Sequence, residues 1–362
     1  MKTKSLRIYA SLLGVAVLVY GGLWFLFLVG IDALEGRNDF QFFADSATYH
    51  EAHAGALEHV QSLSDLVGTA GNFLGPMVLL KLAGGNYYLI ALLNGLLLGL
   101  SIAIISRSLR LDALYLFGLL LLNPITVSSV LSVNKEIISL FCISLLIKAY
   151  VSRSFVVLLA TILLSLAVRW QLTVVIIFYI MLFLPRNPLR GRRLLTLASL
   201  ILALSIVYWM LGDALKGVQE NFDYAAEGYE GSGLWASLVS LQNDGYYFVA
   251  LPLKAFHILF GLGVQLNKVL SPVELYNDVW QVLHSTALLV VFVILVKKHL
   301  FKLSDNLIFL SLIYIVIFAL TPIYAPRYFY PVYVLWVISL SLNMRGRVSL
   351  RIDGVIPLGK KI

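Results

Sequence analysis

Two sets of residues have types and spacings that could carry chemistry. The first lies in the run Phe42 to His53, where Asp45, Tyr49 and His53 recur at every fourth position. Residues four apart share one face of a helix, so a carboxylate, a phenol and an imidazole would stand together there. Such a trio can serve as base, orienting group and proton shuttle, or as part of a metal site. The same spacing also describes an interfacial amphipathic helix whose polar face is merely wet. His50 and His53 alone do not make a zinc site, because a third ligand at motif spacing is missing. Asp39 is a second candidate carboxylate in the same acidic stretch.

The second set is cationic. Arg169 stands between two apolar runs, followed at once by Trp170 and Gln171, with no hydrophilic loop around it. Arg327 and Tyr328 lie in the aromatic, proline-rich stretch from Pro322 to Pro331, and Lys135 sits between Asn134 and Glu136. Lys81, Lys254 and Lys268 fall in interrupted or interfacial segments. Ionisable groups at membrane depth are costly and usually face a cavity or a partner. The planar fork of arginine suits phosphate, and Tyr or Trp rings can line a sugar or an interface. Snorkelling or pairing with an outer acid would account for any one of these cations. Several converging on one face point instead to an anionic site. Lys135 and Glu136 also fit a local structural ion pair.

The elements that must position these residues are apolar runs punctuated by basic clusters. The chain is 60% hydrophobic and only 13% charged, about half the charged share of a soluble domain, and its mean hydropathy is +0.89. A soluble enzyme is excluded on this composition. The positive-inside rule then orders the spans. Residues 8–30 lead out from a cytoplasmic N-terminus, as a retained helix rather than a cleaved signal. Residues 31–72 form a first outer loop, and 73–105 return inward with an interruption at Gly84-Gly85-Asn86. Spans follow over 113–131, 137–151, 154–168, 172–185 and 194–211, then a second outer loop over 212–245. Residues 246–266 read as interfacial or re-entrant, and 281–296, 306–320 and 328–343 complete the chain with its C-terminus inside. The expectation is an all-α polytopic bundle of about ten crossings, a single integral membrane domain over residues 1–362 in the cytoplasmic membrane. Several spans are shorter than the usual ~17 to 25 residues, and short helices that end within the bilayer enclose a cavity.

The net charge of +8 fits this order. Nineteen of the 27 basic residues fall on segments read as cytoplasmic, with only Asp112, Asp305 and Asp353 among them. Topology and contact with anionic lipid explain that surplus, and nucleic acid is not needed as a partner. Cys142 is the single cysteine, so no intrachain disulfide framework exists.

Taken in order, several short motifs resemble the polytopic membrane glycosyltransferases of the GT-C class. They are the acidic first outer loop with Asp45-Ser-Ala-Thr-Tyr49, the interrupted segment from Leu74-Gly75-Pro76 to Gly84-Gly85-Asn86, and Asn123-Pro124 ahead of Asn134-Lys135-Glu136. Arg169 between short helices and the final Arg327-Tyr328-Phe-Tyr330-Pro331 complete the series. Bacterial polysaccharide polymerases look similar. The resemblance implies a sugar donor linked to polyprenyl phosphate, a glycan or lipid-linked acceptor, and an extracytoplasmic active face among membrane lipids. It also implies an outer-loop carboxylate as base or metal ligand, a role that falls on Asp45, with Asp39 second. The family's frequent paired acid is absent here, since Ser46 follows Asp45. A divalent cation stays open as a cofactor, and no metal ligands are assigned. Substrate binding falls on Tyr49, His53, Lys135, Arg169, Gln171, Arg327 and Tyr328. The alternatives are a polymerase joining lipid-linked repeat units and a transporter of lipid-linked substrates. The transporter should show repeat symmetry and charges at the bilayer midplane.

Overall fold

The computed structural model describes residues 2–31, 43, 46, 49–51, 74–182, 187–189, 191–226, 233–261, 279–321 and 325–343. Among the described residues the regular structure is all helical, with no strand. The first six helices are α1 (Lys2–Val29), α2 (Leu74–Ala83), α3 (Tyr87–Leu109), α4 (Ala113–Leu121), α5 (Pro124–Leu131) and α6 (Glu136–Ser152). There follow α7 (Phe155–Val168), α8 (Trp170–Leu182), α9 (Arg193–Ala226), α10 (Gly233–Asn243) and α11 (Tyr247–Phe260). The last three are α12 (Gln281–Lys297), α13 (Asn306–Phe318) and α14 (Tyr330–Asn343), with a 3-10 turn over Pro326–Phe329 ahead of α14.

Local chemistry sets the breaks. Gly84 and Gly85 have φ of +57° and +73°, a region that favours glycine. Asn86 then caps α3, its Oδ1 accepting from the Tyr88 and Leu89 amides at 2.9 and 3.1 Å. The span expected over 113–131 is instead two helices, α4 and α5, bent by 90°. Pro124 is the cause. It cannot continue α4 but opens α5 at no loss, since a first-turn N–H has no helical partner. Much of the stretch read as the second outer loop is helical, since α9 continues to Ala226 and α10 covers Gly233–Asn243. Residues 212–226 include the good helix formers Ala, Leu, Lys, Gln and Glu, so a connection rich in charge can still be helical.

Helices α1 and α3 are long and apolar enough to cross a membrane, and the bent α4–α5 pair would make a third such span. One side of α1 packs on α3, α4 and α5. Its other side exposes Leu6, Tyr9, Leu13, Val17, Tyr20 and Trp24, a continuous apolar stripe that soluble monomers rarely carry.

The centre of the molecule is α14, buried at every residue from Tyr330 to Leu342 and packed on α4, α6, α12 and α13. A helix apolar on all sides belongs inside. Its polar tips find partners: Trp336 Nε1 donates to Ser311 Oγ at 2.8 Å and Tyr333 Oη to the Leu119 carbonyl at 2.5 Å. On α3, buried Asn94 performs a similar service for the end of α5, its Nδ2 donating to the Ser129 and Ser132 carbonyls at 3.2 and 2.9 Å.

Three helix ends carry an unusual residue. Arg110 after α3, Arg153 after α6 and His299 after α12 have φ of 56°, 53° and 54°. Glycine is the common choice at such left-handed caps.

Replacing Asn94 with Leu should lower stability by about 1 to 3 kcal/mol, the cost of leaving buried carbonyls unsatisfied. Thermal unfolding in detergent measures it, and an unchanged midpoint would show that the end of α5 is held in another way.

Candidate functional site

The junction between α5 and α6 presents a charged group at the start of a helix. Asn134 shapes it: its Oδ1 accepts from the Glu136 amide at 3.0 Å, and its Nδ2 donates to Ser132 Oγ at 3.1 Å. Glu136 is therefore the first residue of α6, where the helix dipole favours a carboxylate. Its Oε2 accepts from the Lys135 amide at 3.1 Å.

Arg169 faces it from the α7–α8 junction. Its extended backbone (φ −155°, ψ 110°) lets its N–H bond the Ser165 carbonyl at 2.8 Å. Its own carbonyl accepts from the Leu172 amide at 2.9 Å. One residue thus ends α7 and starts α8, and Ser165 and Thr173 tie the two helices through their hydroxyls at 2.8 Å. Chain direction leaves the guanidinium no route to solvent, and the Arg169 side chain is 6% exposed. Its Nη2 donates to Glu136 Oε1 at 2.6 Å, with both groups buried. The other arm of the fork, Nη1, is buried and has no hydrogen-bond acceptor among the described residues, and Gln171 Oε1 likewise has no donor among them.

Tyr328 links this pair to the 3-10 turn. The Arg169 guanidinium lies 5.1 Å from the centre of the Tyr328 ring, and the Arg327 guanidinium lies 5.6 Å from that same ring. Lys135 reaches over the Tyr49 ring at 6.0 Å, and Tyr49 is buried against a small cluster including Met77, Leu80 and Val133. Next to Tyr49 in sequence, His50 stacks on Tyr87 at 4.0 Å. Five of the expected residues, Tyr49, Lys135, Arg169, Arg327 and Tyr328, thus gather where α2, α5, α6, α7, α8 and the 3-10 turn meet. Gln171 stands in the first turn of α8, beside Arg169 in sequence. Asp39, Asp45 and His53 lie outside the described residues. Among the described residues no group of three His, Cys, Asp or Glu side chains stands close enough to hold a metal.

Charge within the cluster is uneven. Arg169 and Glu136 neutralise one another in a buried pair, while Lys135 and Arg327 beside it are only partly buried. A fork with one arm engaged by carboxylate and the other open can donate to an incoming anionic oxygen. Glu136 then fixes the fork's direction, a part the sequence reading did not give it. A groove of about 800 Å³ lies between α1, α5, α12 and α14, walled by Gly21, Gly22, Leu131, Leu283 and Tyr333 among others. It follows α5 from Pro124 to Leu131, three residues short of Asn134.

The ion pair generates a stability test. Glu136→Ala or Arg169→Ala alone should cost about 3 to 5 kcal/mol, since each leaves a buried charge uncompensated. The paired change Glu136→Leu with Arg169→Met should recover most of that loss in thermal unfolding. Equal losses in the single and paired variants would show that the two charges do not depend on each other. Comparison with known proteins finds no matching family model, no matching curated protein and no matching solved structure.

Proposed function

We propose that the protein is a membrane glycosyltransferase moving a sugar from a polyprenyl-phosphate carrier to a glycan or lipid-linked acceptor. The reading places it in the cytoplasmic membrane with its reactive face outside, and takes the helices through about ten crossings. One observation carries it: Arg169 and Arg327 share the Tyr328 ring, with Lys135 and Tyr49 adjoining and an open, buried arm on Arg169. A phosphate ester offers oxygens that the planar fork of arginine is suited to hold. Its lipid would lie in the groove along α5, whose walls are almost wholly apolar.

In this reading the carrier phosphate is bound by Arg169, Arg327 and Lys135. Asp45 takes the proton of the acceptor hydroxyl, the acceptor oxygen bonds to the anomeric carbon, and the bond from that carbon to the phosphate oxygen breaks with inversion. The oriented cations stabilise charge as it builds on the departing phosphate. A polymerase of lipid-linked repeat units is the second reading. Two guanidiniums on one ring would hold two phosphates, and that chemistry asks nothing of Asp45.

Two variants assayed in isolated membranes with a labelled polyprenyl-phosphate sugar separate the readings. Asp45→Asn should abolish transfer with no change in membrane abundance, whereas retained transfer would favour the polymerase. Arg327→Ala should raise KM for the carrier by about tenfold or more, the scale of a charge-assisted hydrogen bond. Carrier kinetics unaffected by Arg327→Ala would remove it from the site.

A further inference from the structure

Arg327 and Tyr328 lie on the chain that crosses from α13 to α14, and side chains from four helices hold the carbonyls of that crossing. Leu320 O accepts from Gln242 Nε2 of α10 at 3.1 Å, and Thr321 O from Lys254 Nζ of α11 at 2.9 Å. Pro326 O accepts from His284 Nε2 of α12 at 3.1 Å, and Tyr328 O from Tyr314 Oη of α13 at 2.9 Å. Lys254, fully buried, also donates to Gln242 Oε1 and faces the Trp235 ring at 4.9 Å. The first two carbonyls close the end of α13, where unpaired carbonyls are expected. The Pro326 carbonyl is different, because it belongs to the peptide unit that carries the Arg327 N–H.

His284 reaches that carbonyl with a defined proton. Asn123 Oδ1 already accepts from the Ile125 amide at 3.0 Å, which turns its Nδ2 toward His284 Nδ1 at 2.7 Å. Nδ1 must then accept, so the ring is neutral and its single N–H is on Nε2, pointing at Pro326 O. The cap of α5, the imidazole and the Arg327 peptide form one chain of hydrogen bonds, all of it buried. The opposite end of α5 leads through Asn134 to Lys135, Glu136 and, across the ion pair, Arg169. The two ends of α5 are therefore linked, through chains of hydrogen bonds, one to the Arg327 peptide and the other to the Arg169 side chain.

We propose that His284, oriented by Asn123, is a positioning residue for Arg327. It fixes the peptide plane from which that side chain leaves, and so keeps the guanidinium on Tyr328 beside Arg169. The inference rests on the reading that Arg327 receives an anionic lipid phosphate, and it adds a residue that touches neither phosphate nor sugar.

The test uses the full chain in lipid nanodiscs, with polyprenyl phosphate as the binding probe, and the variants His284→Ala, His284→Gln, Arg327→Ala and His284→Ala with Arg327→Ala. Amide exchange at Arg327 and Tyr328 is followed alongside. Exchange there should rise in His284→Ala and stay near normal in His284→Gln, whose amide can still donate to Pro326 O. His284→Ala should weaken probe binding by about tenfold, and should weaken it no further once Arg327 is gone, as coupled residues behave in a double-mutant cycle. Additive losses, or unchanged exchange at Arg327, would overturn the positioning role. Absence of binding by the unaltered protein overturns the functional reading instead, and the clamp then stands or falls on amide exchange alone.

Discussion

The cluster depends on one buried ion pair. Arg169 has no water to turn to, so its charge requires a carboxylate, and Glu136 supplies it from the start of another helix. The geometry is specific because both backbones are committed. Arg169 ends one helix and begins the next, while Asn134 sets where α6 begins. Neither side chain can move far without exposing an unpaired charge to an apolar surround, which is the expensive outcome in a low-dielectric interior. Buried pairs of this kind often add little net stability over apolar residues of similar size. Their contribution here is registry: the pair fixes how α6 sits against the α7–α8 junction.

Around that pair the architecture alternates stiff and interrupted elements. The stiff ones are α3, α6 and the fully enclosed α14, with α6 packed against both of the others. The interrupted ones, α4–α5, α7–α8 and the 3-10 turn, bring backbone polar groups inward. Each interruption is matched by a side chain that satisfies it: Asn94 for the end of α5, Asn123 for its start, and His284 and Tyr314 for the turn. Non-helical backbone within an apolar molecule persists only on such terms, so the polar residues of the interior mark where the chain has to break.

How much of this was legible in the sequence varies with the range of the interaction. The all-helical class followed from composition, and the break at Gly84-Gly85-Asn86 from residue type alone, because glycine and asparagine act locally. Arg169 stood out because no loop surrounds it. Its partner did not. Glu136 adjoins Lys135 in sequence, so a local pair was the natural reading, and the real partner lies 33 positions away. The bend at Pro124 was missed because hydropathy counts Asn123-Pro124 as a brief dip within one apolar run. The helical form of 212–226 gave no clear signal either, since its charges marked an outer connection and fewer than half of its residues are strong helix formers. His284 gave no signal at all, being one polar residue in an apolar helix whose importance comes entirely from what lies across from it.

The left-handed caps at Arg110, Arg153 and His299 unite two functions in single residues. Glycine would relieve each backbone, and it is the replacement that ordinary reasoning about helix ends would recommend. Two of the three, Arg110 and Arg153, nevertheless carry a fixed cation, which complements the negative end of the helix it closes. Stopping the helix and placing a positive charge at its negative end are thus done by the same residue. A design that relieved these caps with glycine would remove that charge together with the strain, so the gain at the backbone would be offset at the helix dipole.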